Sequence, residues 1–457
     1  MGRNMAAEPT RGLGVNYWRL WSATVISNFG DGLSAVAYPW LASAVTRDPV
    51  AIAWTGVARF LPWLLFTLPA GAITDRIDRR RLVAWMDVLR TFLTVFVGIF
   101  VLAGQNGLPS PDQIAAGTAD PPANAFGFLA MLYITGFLFG LAEVFRDNAA
   151  QTILPSIVQA SQLEKANGRL WGAESIMNSF VGPPVGGVLL AVAFSLPFFV
   201  DAGSFALAAG LVFLLAGQFK PQTAKRTNTS IRSEIREGVG WLWRHSLLRP
   251  MALILGFQNG LNNVAMATLV LFTQEILDLG AAQYGLMLSS FAVGSVVGSF
   301  TASKVREKLG SGTSLHLTLG ASAVVLIVTG ATSSPVVVWI LFAVSSYVGT
   351  LWSVITVSLR QMIIPDNLLG RVNSFYRLMG WGTIPIGMFL GGLIVNITQA
   401  LTNRDLGLRM PFYLAGAVYL VLFFYSLPRL TTAKIEAARE EAVRRKEQES
   451  RGVSDEA

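Results

Sequence analysis

Apolar runs of about 20 residues, separated by short polar breaks, recur along the whole chain. A helix rises ~1.5 Å per residue, so each run covers the ~30 Å hydrocarbon core of a bilayer. The pattern predicts twelve spans, near 18–45, 52–73, 81–103, 126–147, 168–193, 196–217, 247–273, 282–302, 314–332, 335–358, 373–398 and 410–428. Three longer polar stretches remain, the loop 104–125, the connector 218–246 and the tail 429–457. In the connector, Ile231, Ile235, Val239 and Trp243 recur at i, i+4 intervals on one face, which fits a helix on the membrane surface or a simple linker. The mixed charges of the tail read as a solvated helix or a disordered segment.

The pattern also repeats. "TGVARFLPWLLFTLPAGAITD" (Thr55 to Asp75) lies over "YGLMLSSFAVGSVVGSFTASK" (Tyr284 to Lys304) without a gap, pairing Gly56 with Gly285. "QTILP" ending at Pro155 matches "QMIIP" ending at Pro365, and Asn167 then falls near Asn373. Repeats in the same order are the mark of transporter folds built from two related halves. The expected domains are residues 1–217, a connector at 218–246, residues 247–430 and a tail at 431–457.

Composition agrees. Hydrophobic residues make up 53% and charged residues 14%, against about 25% charged in soluble domains. The fold class expected is an all-α membrane protein of two six-helix, pseudo-symmetric bundles. With the N-terminus inside, one set of loops holds Arg76, Arg79, Arg80, Arg81, Lys165, Arg169, Lys220, Lys304, Arg306 and Lys308, while the other holds only Arg47, Arg404 and Arg409. Basic residues stay on the cytoplasmic side, so both termini are expected there, in the inner membrane of a bacterium. That asymmetry explains the net charge of +8 and gives no reason to expect a nucleic-acid partner. The first residues lack an apolar stretch, so the first span itself is expected to direct insertion.

Catalysis finds little support. The two histidines, His245 and His316, are far apart, and no GxSxG, HExxH or phosphate-binding GxxxxGK[ST] pattern occurs. With no cysteine, disulfides and thiolate metal sites are excluded. The chain reads as a non-enzyme without cofactor or metal.

Between the second and third spans stands "GAITDRIDRRRL". It resembles the signature loop of the major facilitator superfamily, matching at Gly71, Asp75, Arg76, Arg79 and Arg80. Ile73 replaces a leucine, and Asp78 stands where a glycine is expected; Asp tolerates a left-handed turn better than most residues. The resemblance implies a gate that locks the two bundles on the cytoplasmic side, joined by Arg146 and Asp147 of the fourth span. In the fifth span "GPPVGG" resembles the motif of exporting antiporters through Gly182, Pro183, Gly186 and Gly187, although Asn178 occupies a position where a glycine is expected. Prolines there bend the helix and glycines admit a close neighbour. Pro385, Gly387, Gly391 and Gly392 repeat the pattern in the eleventh span.

Ionisable groups inside spans are functional candidates by default. Asp31 lies ~20 Å along the first helix, near mid-membrane, and is the first candidate for proton coupling. Arg59 on the second span is its expected partner, either as part of the coupling site or as a structural ion pair. Glu143, one turn before Asp147, and Glu174 on the fifth span are further candidates for proton binding or for gate pairing. Asp87 and Arg90 on the third span carry no assigned role. Trp40, Phe60 and Trp63 read as interface aromatics or as the lining of a substrate cavity, and Arg377 on the eleventh span either meets an anionic group or snorkels.

Over nearly its whole length the chain resembles the drug:proton antiporter branch of the major facilitator superfamily, which includes macrolide and mycobacterial-type multidrug exporters and the enterobactin exporter. Stretches carrying the likeness include "NYWRLWSATVISNFGDGLS", "FRDNAAQTILP", "LEKANGRLWG" and "REGVGWLWRHSLLRPM". The resemblance implies a monomeric, proton-driven exporter of amphiphilic small molecules working by alternating access, or a dedicated exporter of a siderophore or other metabolite. A non-transporting sensor on the same fold is a third reading.

Overall fold

The computed structural model describes residues 13–74, 76–109, 113, 121–217, 219 and 231–455. Among them there is no strand. Six helical spans form the first bundle: α1 (Gly14–Val45), α2 (Pro49–Thr74), α3 (Arg79–Gly104), α4 (Ala125–Ile157), α5 (Leu163–Val192) and α6 (Leu196–Phe213). A connector helix α7 (Ile231–Arg244) precedes α8 (Leu248–Met266), α9 (Leu269–Glu275), α10 (Ala281–Leu309), α11 (Ser311–Ala331) and α12 (Pro335–Ile363). The chain continues with α13 (Asp366–Trp381), α14 (Thr383–Leu401), α15 (Arg404–Ser426) and the tail helix α16 (Thr432–Asp455).

Ten of the described helices are long and apolar enough to cross a bilayer. The expected first and seventh spans miss that mark for visible reasons. Arg19, Asn28 and Asp31 dilute the hydropathy of α1, and Arg249, Gln258, Asn259, Asn262 and Asn263 dilute that of α8, which is separated from α9 at Ala267–Thr268. Both still pack as members of their bundles, α1 against α5 and α6, α8 against α14 and α15.

The halves match in three dimensions as they do in sequence. The shift that lays Pro155 on Pro365 also lays the first residue of α4, Ala125, on that of α12, Pro335. A Cβ on Gly56 would strike Met388 of α14, and one on Gly285 would strike the Pro183 backbone of α5. The bundles therefore meet along two equivalent seams, α2 on α14 and α5 on α10.

The fifth span answers its prolines with a wider turn. Pro183 and Pro184 lack the N–H that an α-helix needs, and the preceding residues Ile176–Val181 adopt a π-helical turn. Gly182 then packs on Gly32 of α1, with the sites a Cβ would fill occupied by backbone, while Gly187 packs on Ala281 of α10. Gly387 packs in the same way on Gly260 of α8.

Two peripheral expectations change. The tail is not simply solvated: Ile435 and Ala442 are buried, Thr432 accepts from the Gly312 amide at 3.2 Å, and Arg445 donates to the Ile363 carbonyl at 2.9 Å. The described part of the connector, Ile231–Arg244, is a helix, but it docks on α13, with Gly238 against Arg371 and Glu237 paired to Arg371. Asp78 has φ −58°, outside the left-handed region; its carboxylate instead caps α3 by accepting from the Arg81 amide at 3.1 Å.

Candidate functional site: a charged core in the first bundle

Within the first bundle, polar side chains from α1, α2, α3, α4 and α6 converge at mid-helix. At their centre is Arg90, wholly buried. It donates to Asp31, to Ser27 at 3.0 Å and to Asp87 at 3.3 Å. Its guanidinium lies over two neighbouring rings, 3.9 Å from the Phe205 centroid and 4.6 Å from that of Phe139. Such cation–π stacking compensates part of the lost hydration.

Arg59 supplies the second cation. It donates to Asp31 at 3.4 Å and to Glu143 at 3.3 Å, with its own guanidinium also over the Phe139 ring at 4.3 Å. The expected Asp31–Arg59 pair is therefore present, but Asp31 also answers to Arg90 and Arg59 also answers to Glu143. Arg146 is the third cation and reaches inward to Asp87 at 2.7 Å and to Asp147 at 3.5 Å. Glu174 stands exposed on α5 and joins none of these bonds.

Backbone proximity makes room for the cluster. A Cβ on Gly30 would collide with the carboxylate of Asp201, which accepts from Ser34 and lies 3.4 Å from the Ser204 hydroxyl. Asp201, the only acid in the sixth span and fully buried, was not among the sequence candidates. Its signal was plain, one carboxylate in the apolar run "PFFVDAGSF". Asp87 and Arg90, left without a role from sequence, prove to be the middle of the site.

The signature loop is only partly described. Asp75 lies outside the described residues, while Gly71 falls near the end of α2. Arg79 donates to the Thr152 carbonyl at 3.3 Å, Arg80 to the Leu215 carbonyl at 2.7 Å, and Arg76 is exposed. These bonds tie the loop to α4 and to the end of α6, within its own bundle.

Of the aromatic candidates, Trp40 is fully buried beside Tyr284. Trp63 stacks on Trp381 of α13, centroids 4.7 Å apart, and Phe60 is half-buried against the same patch. Arg377, one helical turn from Trp381, is exposed on α13.

At the turn between α1 and α2 the two bundles are clasped together. Arg404 donates to Glu275 at 2.8 and 2.9 Å and to the Arg47 carbonyl at 3.0 Å, while Arg47 lies 3.8 Å from Glu275 and donates to Gln274. Gln274 in turn donates to Ser43 at 2.8 Å. Burial pulls the Arg47 guanidinium below its ordinary value, with Glu275 opposing and Arg404 adding to the effect.

Known proteins place this architecture. A family model described as Transmembrane secretion effector matches residues 14–118 and 123–452. Over 415 residues the chain is 26% identical to the Multidrug efflux pump Tap of Mycolicibacterium fortuitum, covering 88% of this chain and 94% of that one. It is 26% identical over 394 residues to the Enterobactin exporter EntS of Citrobacter koseri, covering 82% of this chain and 84% of that one. In fold it is similar to a bacterial homologue of the iron transporter ferroportin in an inward-facing state, with a TM-score of 0.67 and 19% identity over 91% of this chain and 99% of that one. With nearly every span inside the matched region, the chain belongs to the transmembrane secretion effector family of major facilitator transporters.

Proposed function

We propose that this protein is a proton-coupled exporter of amphiphilic small molecules, working by alternating access in a bacterial inner membrane with both termini in the cytoplasm. The observation that carries the reading is the charge count of the first bundle. Asp31, Asp87, Glu143, Asp147 and Asp201 face Arg59, Arg90 and Arg146. Two carboxyl groups are in excess at a depth where unpaired charge is expensive, and protons are the natural counter-charge.

Asp31 and Glu143 compete for the single Arg59, whose Nη2 lies 3.4 Å from one and 3.3 Å from the other. Protonating either hands Arg59 to its rival and shifts the side chains that join α1, α2 and α4. Under the expected orientation the clasp at Arg47, Glu275 and Arg404 lies outside, so the described conformation is closed outward. The cytoplasmic gate would be the loop bearing Gly71, Asp75, Arg76, Arg79 and Arg80. Similarity to the Multidrug efflux pump Tap supports efflux of several compounds. Similarity to the Enterobactin exporter EntS supports the second reading, export of one siderophore or similar metabolite.

Acid-loaded inverted vesicles test both. Several unrelated amphiphiles are expected to discharge the gradient through the wild type, and none through Asp31→Asn. Discharge by a single compound would favour the dedicated exporter, and full coupled efflux by Asp31→Asn would remove Asp31 from the mechanism.

A further inference from the structure

The second bundle holds a cavity of about 520 Å³ where the first bundle holds its charges. The internal repeat gives the correspondence. The shift that lays Pro155 on Pro365 puts Phe139 on Gly349 and Glu143 on Ser353. "PFF" at Pro197 and "PFY" at Pro411 put Phe205 on Tyr419 and Asp201 on Ala415. Gly98 faces the ring of Phe199 as Gly330 faces that of Tyr413, which lays Arg90 on Ser322. Gly32 faces Gly182 as Gly260 faces Gly387, which lays Asp31 on Asn259. Asn259, Ser322, Gly349, Ser353 and Tyr419 all line the cavity. It is the space left when the buried arginine and the phenyl ring beneath it become serine and glycine.

We propose that this cavity is a recognition site for cargo, and that it takes an uncharged part of it, an aromatic or aliphatic ring bearing hydroxyl, carbonyl or amide groups. The proposal rests on the exporter reading for the word cargo, and on the cavity itself for the chemistry. No charged residue lines the space, so an ion entering it would lose hydration without a counter-charge. Polar groups without protein partners do face it. The Gln258 amide and the Ser322 hydroxyl are each nine-tenths buried and make no hydrogen bond among the described residues. Buried donors and acceptors are ordinarily satisfied, and a ligand with both kinds of group would satisfy these. Phe291 and Phe342, stacked with centroids 5.0 Å apart, give the cavity an apolar wall. Its volume is in the range of small-molecule sites.

Access is from between the bundles. Gly349 and Ser353 are exposed on the side of α12 turned away from Val336, Ile340 and Val344, whose apolar exposure marks the lipid side.

Gly349→Phe restores the ring that fills the first bundle. Nothing lies within 4 Å of the Cβ position at Gly349, so a side chain can start there without a clash, and circular dichroism checks the fold. Full-length protein in lipid nanodiscs is titrated, by tryptophan quenching, with chloramphenicol, an uncharged probe with one aromatic ring, an amide and two hydroxyls. Tetraphenylphosphonium serves as a permanent cation of similar bulk. Gly349→Phe is expected to raise the chloramphenicol Kd at least tenfold, and Ser322→Val about threefold, with tetraphenylphosphonium affinity changed less than twofold in both. Unchanged chloramphenicol affinity in Gly349→Phe overturns the proposal, as does wild type that binds the cation but not chloramphenicol, or that binds neither at millimolar concentration. Vesicle flux separates the two readings. Drug-driven proton flux with an unaffected Gly349→Phe sinks the cavity alone, whereas cavity binding without any flux sinks the exporter.

Discussion

The two bundles share a backbone plan and differ in what fills the middle. In the first, Arg90 stacks on Phe205 and Phe139 and is bonded to Asp31 and Asp87. In the second, the matching positions are Ser322, Tyr419, Gly349 and Asn259, and their side chains surround open space. The two frames are related, and at a handful of matched positions one holds charges and the other surrounds a cavity without charged lining. Charge and cavity exclude each other physically. A buried ion needs partners packed around it, whereas a binding site needs volume that partners do not occupy.

The sharpest way to break the comparison is to remove the central cation. Arg90→Ala leaves Asp31 and Asp87 buried beside an empty space, and breaking a buried charge network of this kind costs about 3–5 kcal/mol. Ser322→Ala, at the equivalent position, is expected to cost less than about 1 kcal/mol, since its hydroxyl has no partner to leave behind. Thermal unfolding in detergent of the two variants measures the asymmetry directly. Equal losses would mean that the first bundle draws no special stability from its charges.

Much of this contrast could be read from the chain. Asp31, Arg59 and Glu143 announced themselves as ionisable residues in apolar runs, and the repeat of "QTILP" by "QMIIP" fixed the register that pairs Phe139 with Gly349. What sequence could not supply was direction. Asp87 and Arg90 stand three residues apart on α3, and only packing shows that both turn inward, one to Arg146 and the other to Asp31. Asp201 needed a partner across the bundle, Ser34, before its place could be known. The cavity is harder still to foresee, because serine, asparagine and glycine in a span read equally well as small-residue packing. The docking of the tail depended on two small contacts, at Ile435 and Ala442, that a charge-rich sequence hides.

A second difference between the halves is intermediate in size and lies where they touch. The clasp joins Arg47 of the first bundle to Glu275 and Arg404 of the second, whereas Arg409, close by, pairs with Asp405 inside one bundle. A partly exposed pair is worth at most about 1 kcal/mol, roughly a fivefold change in a population. Glu275→Gln is expected to raise labelling of a Ser43→Cys reporter by an impermeant maleimide about fivefold, and Arg409→Ala to leave it unchanged. The chain has no native cysteine to confuse the measurement. Equal labelling in all backgrounds would show that the apolar seams, rather than the ions, hold that end closed.

The smallest difference lies where each bundle begins. The start of α1 has no side-chain cap. At the start of α8, His245 Nδ1 accepts from the amides of Leu247 and Leu248, both at 3.2 Å. Only a neutral imidazole can accept there. Burial pushes His245 below its ordinary value, with Glu441 of the tail raising it and Arg445 lowering it further. A histidine depressed in the folded state binds fewer protons than the unfolded chain, so its stabilisation is complete above about pH 6.5 and is lost as pH falls through the lowered value. The junction of α7 and α8 is therefore expected to exchange amide hydrogens about two- to fivefold faster at pH 5 than at pH 7.5, after correction for intrinsic rates, in keeping with about 0.5–1 kcal/mol for a hydrogen bond. His245→Asn keeps an acceptor that does not titrate and is expected to flatten that dependence while the start of α1 behaves alike in both proteins. A pH dependence that survives in His245→Asn would assign it to Glu441 and the docked tail instead.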